Sequence, residues 1–215
     1  MTKRSIAETL KKHRVLIFNS RKPEIASKIN IYGADSVYID KGEGLYNEVI
    51  HLTENQKKEQ QEESLAYDNY YEAKSYSVMK FKINRKIIKM ASRADKNLQD
   101  RLKVYARRER NIEEWIQQSI EFYNLVLNEP EFLTSIAKYG ITSEKLNQEK
   151  QELDFLRSLR NEAMSEKGQS QEATRLRNNK MEELEDYCYE LKTIATIALE
   201  DNSQLLEALG VIVRN

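Results

Sequence analysis

The sequence contains little that interrupts a helix. Its 215 residues include only 2 prolines and 6 glycines. A chain so poor in breakers, and rich in Glu, Lys, Gln and Arg, is expected to be almost wholly helical. One cysteine, Cys188, excludes an internal disulfide. With two histidines, His13 and His51, a multi-histidine metal centre has few ligands to draw on. No apolar run approaches the roughly 20 residues that cross a bilayer. The longest, such as Val15-Leu16-Ile17-Phe18, are four residues long. The basic start, Met1-Thr2-Lys3-Arg4-Ser5, is followed by no apolar segment, so no secretory signal is expected. Glycine-rich phosphate loops, Walker motifs and G-x-S-x-G elbows are missing as well. A reducing, cytoplasmic setting fits these absences, and no cofactor is implied.

What the sequence does contain is repetition. At an offset of 107, Pro23 meets Pro130, Tyr32-Gly33 meets Tyr139-Gly140, and Ser36 meets Ser143. Leu98, Leu102 and Val104 meet Leu205, Leu209 and Val211. This pattern predicts two tandem homologous repeats, residues 1–107 and 108–215. Net charge is zero, but the halves differ. The first carries 22 Lys+Arg and 14 Asp+Glu; the second carries 13 and 21. Either the basic and acidic halves attract one another, or the basic half meets an acidic partner.

Each repeat reads as the same series of helices. Ser5 and Glu8 form a capping box ahead of Ile6, Leu10 and Ile17. The matching helix carries Ile112, Ile116 and Tyr123 at an offset of 106, widened by Trp115, Ile120, Phe122 and Val126. Pro23 and Pro130 belong in the first turns of short helices, Gly33 and Gly140 at left-handed ends, and Asp35 and Thr142 at the caps that follow. Two polar-apolar stretches come next, 36–61 with 64–93 and 143–167 with 170–199. Leu146, Leu153, Leu156 and Ala163, then Leu184, Cys188, Leu191, Ala195 and Ala198, repeat at seven-residue spacing. Residues 55–63 hold no apolar side chain, which reads as the exposed tip of an antiparallel hairpin. The alternative is one helix of about 55 residues, ~80 Å long at the α-helical rise. The unbroken heptad phase favours the latter, and the hairpin is the expectation. Short helices, Asn97–Val104 and Ser203–Leu209, close the repeats. Gly210 stops the second, whereas Lys103 at its counterpart predicts a helix running on through Arg108. The expected fold is therefore all-α, two helical-hairpin repeats in a bundle or an elongated coiled-coil-like rod.

The second half carries Tyr139-Gly140-Ile141-Thr142, Ala173-Thr174, Ile194-Ala195 and the closing run Ile197-Ala198-Leu199-Glu200-Asp201-Asn202-Ser203-Gln204-Leu205-Leu206-Glu207-Ala208-Leu209-Gly210-Val211. In these the chain resembles an uncharacterised family of bacterial all-helical proteins made of two tandem repeats. The first half keeps Tyr32-Gly33, with the closing motif reduced to Asn97-Leu98-Gln99-Asp100-Arg101-Leu102. The resemblance implies a paired-repeat helical fold, and no functional residue comes with it.

Candidate chemistry is sparse. Glu48-Val49-Ile50-His51 is an E-x-x-H step, which di-metal bundles use twice. Here it occurs once, and Phe155 and Ser158 stand at the matching positions. A di-metal enzyme is thus a remote reading, and a solvated helix flank the plain one. His13, matched by Ser119, is expected to be a boundary histidine with a local hydrogen bond. Cys188 on the apolar seam is expected to be a small buried hydrophobe. The regional signal is basic: 13 Lys+Arg between Lys74 and Arg110 face only Asp95, Asp100 and Glu109. Tyr67, Tyr70, Tyr71 and Tyr76 lie beside them. Lys82, Arg85, Lys86, Lys89, Arg93, Arg107 and Arg108 are the candidate partner-binding or nucleic-acid-binding residues. The charges read as spread around the helices and not gathered on one stripe. The functional expectation is a non-enzymatic cytoplasmic scaffold that binds protein or itself. A nucleic-acid-associated protein using 74–110 is the alternative. Neither a membrane nor a small-molecule substrate is indicated.

Overall fold

A computed structural model describes residues 5–211; the N-terminal reading over residues 1–4 lies outside them. The described residues are all-α, without a strand. Eight α-helices follow in order: α1 Ile6–Asn19, α2 Pro23–Ile29, α3 Ser36–Ala91, α4 Lys96–Arg101, α5 Ile112–Leu127, α6 Pro130–Ile136, α7 Ser143–Ala198 and α8 Ser203–Ala208. Single 3-10 turns, Asn30–Tyr32 and Ala137–Tyr139, follow α2 and α6. From α2 onward, the bounds recur at the 107-residue offset seen in the sequence.

Local chemistry explains the ends. The Ser5 hydroxyl accepts from Glu8 N–H, and Ser5 N–H donates to the Glu8 carboxylate, closing the capping box. Pro23 and Pro130 open their helices, where a missing N–H is harmless. Gly33 and Gly140 sit at φ 90° and 74°, the left-handed geometry that ends each 3-10 turn. Asp35 accepts from Tyr38 N–H at 2.8 Å and Thr142 from Lys145 N–H at 3.3 Å.

Two expectations are corrected. The hairpin is replaced by single helices: α3 and α7 each run 56 residues without a break. The stretch 53–63 holds no glycine or proline, and its Glu, Gln and Lys are good helix formers. Buried positions continue through the polar middle as Val49, Gln56, Ala66 and Tyr70 in α3, and as Ala163, Ser170, Ala173 and Arg177 in α7. Polarity without a breaker exposes a helix without ending it. The second correction concerns the joint after α4. The helix stops at Arg101 and the chain turns at Lys103, whose φ is 52°. Val104 N–H donates to Gln99 O at 3.2 Å, as Val211 N–H donates to Leu206 O at 3.1 Å across Gly210. Both are the six-to-one bond of a Schellman end. Lysine takes a glycine's place because Leu102 and Val104, both fully buried, draw the chain inward on either side of it.

By contacts the chain forms two compact units. Unit 1 comprises residues 1–60 and 169–215; unit 2 comprises 61–168. Each unit therefore takes part of α3 and part of α7. Within unit 1 they pack antiparallel: the Tyr38 and Tyr187 rings stack at 4.8 Å, and Glu48 meets Lys180 at 3.4 Å. Within unit 2, Lys80 meets Glu152 at 2.7 Å and Asn84 meets Glu149 at 2.6 Å. The core of unit 1 centres on Ile17, Ile25, Ile29, Val49, Leu184 and Leu191. That of unit 2 centres on Phe81, Ile88, Leu102, Trp115, Ile116 and Leu146. The imbalance between halves disappears in the units, which hold 16 Lys+Arg against 17 Asp+Glu and 19 against 18. No helix among the described residues is long and apolar enough to cross a membrane.

Candidate anionic-partner site

The turn at Lys103 lays residues 104–108 along α3 in unit 2. Arg85, half-buried, fixes that segment: its guanidinium donates to Val104 O at 3.1 and 2.9 Å and to Ala106 O. Burial lowers the Arg85 pKa from its ordinary value, but a guanidinium stays charged in any protein setting. Gln118 holds the next stretch, donating to Arg107 O at 2.7 Å and accepting from Glu109 N–H at 3.2 Å. Between α3 and this strap lies a cleft of about 350 Å³.

Five cations line it: Lys82, Arg85, Lys86, Lys89 and Arg108. No carboxylate among the described residues does. The floor is apolar, made by Val78, Phe81, Val104 and Trp115. Lys82, Lys86 and Lys89 lie at i, i+4 and i+7, so at 100° per residue they fall within about 60° of one another on α3. Within a basic region whose other charges lie elsewhere, Lys80 on Glu152 and Arg101 on Glu129, these three form a stripe. Lys89 Nζ sits 4.3 Å from the centroid of the Tyr105 ring, and the Arg108 guanidinium 5.1 Å from that of Trp115. Tyr105 is 63% exposed, whereas Trp115 is 1% exposed and its buried Nε1–H has no acceptor. Of the seven candidate residues, Arg93 and Arg107 do not line the cleft; both are exposed, Arg93 just beyond the end of α3. Of the neighbouring tyrosines, Tyr70 is buried in the core, while Tyr71 and Tyr76 are exposed.

Other candidates fall elsewhere. Glu48 and His51 are exposed, and no group of three potential ligands among the described residues includes either. His13 and Cys188 line one cleft of unit 1, of about 390 Å³. The expected local bond of His13 is corrected: Nε2 is buried without a partner. Burial lowers the His13 pKa and pushes the Cys188 thiol up to about 12. A thiol so far from ionising is a poor nucleophile.

Sequence reasoning missed one polar cluster. In the core of unit 2, Glu149 Oε2 accepts from Tyr123 Oη at 2.7 Å and from Asn84 Nδ2 at 2.6 Å. Glu149 is 3% exposed, and its Oε1 has no partner. Burial, and then the bond to Glu149, raises the Tyr123 phenol far above its usual value. The signal was present: Glu149 occupies a seam position between Leu146 and Leu153. The counterparts in unit 1 are Gly42, Leu191 and Ile17, which form no such cluster. Comparison of the chain with known families, curated proteins and solved structures finds no match.

Proposed function

We propose that the chain is a non-enzymatic interaction protein, a helical scaffold arisen by tandem duplication, which engages an anionic partner through the cationic cleft of unit 2. The observation carrying this reading is the cleft itself, whose lining among the described residues includes Lys82, Lys86 and Arg108 and no carboxylate. Such cations over an apolar floor give an incoming anion both attraction and a surface that excludes water. The recurrence of element bounds at 107 residues supports the duplication. The partner is an acidic protein surface, a second copy included, or a nucleic acid. The stripe of three lysines beside an exposed tyrosine favours the second of these. The test is affinity isolation from the native cell with wild-type bait and with a Lys82→Glu/Lys86→Glu/Arg108→Glu bait, read by mass spectrometry and nucleic-acid content. The reading expects a defined partner that the variant loses. Identical recovery by both baits would overturn it. Light scattering in low and high salt separates self-association: a monomer at about 100 µM protein in low salt argues against the second copy.

A further inference from the structure

We infer that the cleft between α3 and residues 104–108 is a site for single-stranded nucleic acid, taking one base against its floor and the flanking phosphates along the lysine stripe. This rests on the reading that the cleft binds an anion. Three features narrow the class of ligand. First, the cations are arranged in a line. Lys82, Lys86 and Lys89 span about 10 Å of α3 at 1.5 Å per residue, with Arg108 facing them across the cleft and Arg93 beyond the helix end. A single carboxylate or phosphate needs one or two such groups, whereas a polyphosphate chain uses the row. Second, the space between them is apolar and aromatic: Val78 is half-buried, with Phe81 and Val104 buried behind it, so Val78 and the exposed Tyr105 ring are the apolar surface a planar base would cover. Tyr105 keeps its ring largely exposed, with Lys89 against it, which is the composition of a stacking platform. Third, the wall contains a buried donor without an acceptor, Trp115 Nε1–H. Base carbonyls and phosphate oxygens both supply acceptors. A paired duplex hides its bases in the stack and cannot reach the floor.

The test is fluorescence anisotropy with a labelled ten-nucleotide oligothymidine or oligouridine, a duplex of equal length, and a polyglutamate of equal charge. In 50 mM salt the single strand binds more tightly than the other two. Four phosphate contacts give a log–log salt slope of about −3, and so an affinity loss of about 50-fold between 50 and 200 mM. Tyr105→Ala weakens the single strand at least about fivefold at an unchanged slope, from the ~1–3 kcal/mol of one base stack, and Tyr105→Phe restores it. Each Lys→Ala at 82, 86 or 89 reduces the slope by about 0.7. These side chains are exposed, so far-ultraviolet circular dichroism of the variants should match wild type. No binding of the single strand in 50 mM salt overturns the inference, and so does duplex binding of equal strength. Polyglutamate binding as tight as the single strand, unmoved by Tyr105→Ala, also overturns it while leaving the interaction reading intact. If none of the three ligands binds, both fail.

Discussion

Replacing Glu149, Tyr123 or Asn84 one at a time should harm the protein, while replacing all three together should not. The single changes leave partners stranded. Tyr123→Phe removes a hydroxyl that donates at 2.7 Å to a buried carboxylate, a charge-assisted bond worth about 1.5–3 kcal/mol. Asn84→Leu removes the other donor, at 2.6 Å, leaving a buried charge with one bond. That defect costs about 3 kcal/mol by analogy with broken buried pairs. Glu149→Leu removes the charge but deprives two buried donors of their acceptor. Asn84 Nδ2 still reaches Tyr123 Oη at 3.3 Å, so the loss falls mainly on the phenol, about 2 kcal/mol. If independent, the three would add to about 7 kcal/mol, enough to unfold a typical domain. The triple variant Asn84→Leu/Tyr123→Phe/Glu149→Leu leaves nothing unpaired, and apolar replacement of buried charged groups is neutral or stabilising. Unit 1 already runs apolar at two of the three corresponding positions, Leu191 and Ile17, and carries Gly42 at the third. Urea unfolding at pH 7, followed by circular dichroism, reads this directly. Each single variant should lose about 2–3 kcal/mol, or roughly 4–12 °C in Tm for a chain of this size. The triple should fall within about 1 kcal/mol of wild type. A triple variant as unstable as the sum of the singles, with an unchanged m-value, would refute the account of the cluster as a mutually satisfied unit.

Three further outcomes follow from the geometry. Lys103→Gly should stabilise by about 0.5–1 kcal/mol in thermal or urea unfolding, because a left-handed residue with a β-carbon is strained by ~1–2 kcal/mol, part of which glycine's freedom in the unfolded chain offsets. Gly210→Ala, in the same conformation, should lose about 1 kcal/mol; equal stability of both variants with wild type would count against the turn. Gly42→Ala should destabilise by about 2 kcal/mol through overpacking, since the added carbon would overlap the Tyr187 ring, which is held by stacking on Tyr38 and by donation to Tyr38 O at 2.9 Å. For Cys188 the native thiol ionises near 12 and the unfolded one near 9. Its contribution is thus complete below about pH 9, and declines by up to ~1.4 kcal/mol per pH unit above it as the unfolded thiol ionises. The difference in stability between wild type and Cys188→Ala should be flat from pH 7 to 8.5 and shrink by pH 10.5. A constant difference would contradict the buried placement.

The features legible in the sequence were local ones. The Ser5–Glu8 box, the prolines at first turns, the left-handed Gly33 and Gly140, and the caps at Asp35 and Thr142 depend on a few adjacent residues. The sequence displays all of those residues. The long helices are less legible, because a stretch without apolar side chains resembles a tip although it carries no breaker. Lys103 misled for the opposite reason. A good helix former there hides a left-handed turn imposed by the burial of Leu102 and Val104, which is a tertiary effect overriding propensity. The cleft was half legible. The spacing of Lys82, Lys86 and Lys89 is visible in the sequence, but the cleft's second wall exists only because the chain reverses at Lys103. The grouping of residues 1–60 with 169–215 had no local signal, since two positions more than a hundred residues apart had to be paired.

That grouping has a consequence for how the chain is made. Residues 61–168 form a compact unit whose core is drawn from one continuous segment. The first 60 residues do not, because the rest of their core, including Leu184, Leu191, Leu206 and Leu209, is synthesised after residues 61–168. During translation α1, α2 and the start of α3 wait with Ile17, Ile25, Ile29 and Val49 uncovered.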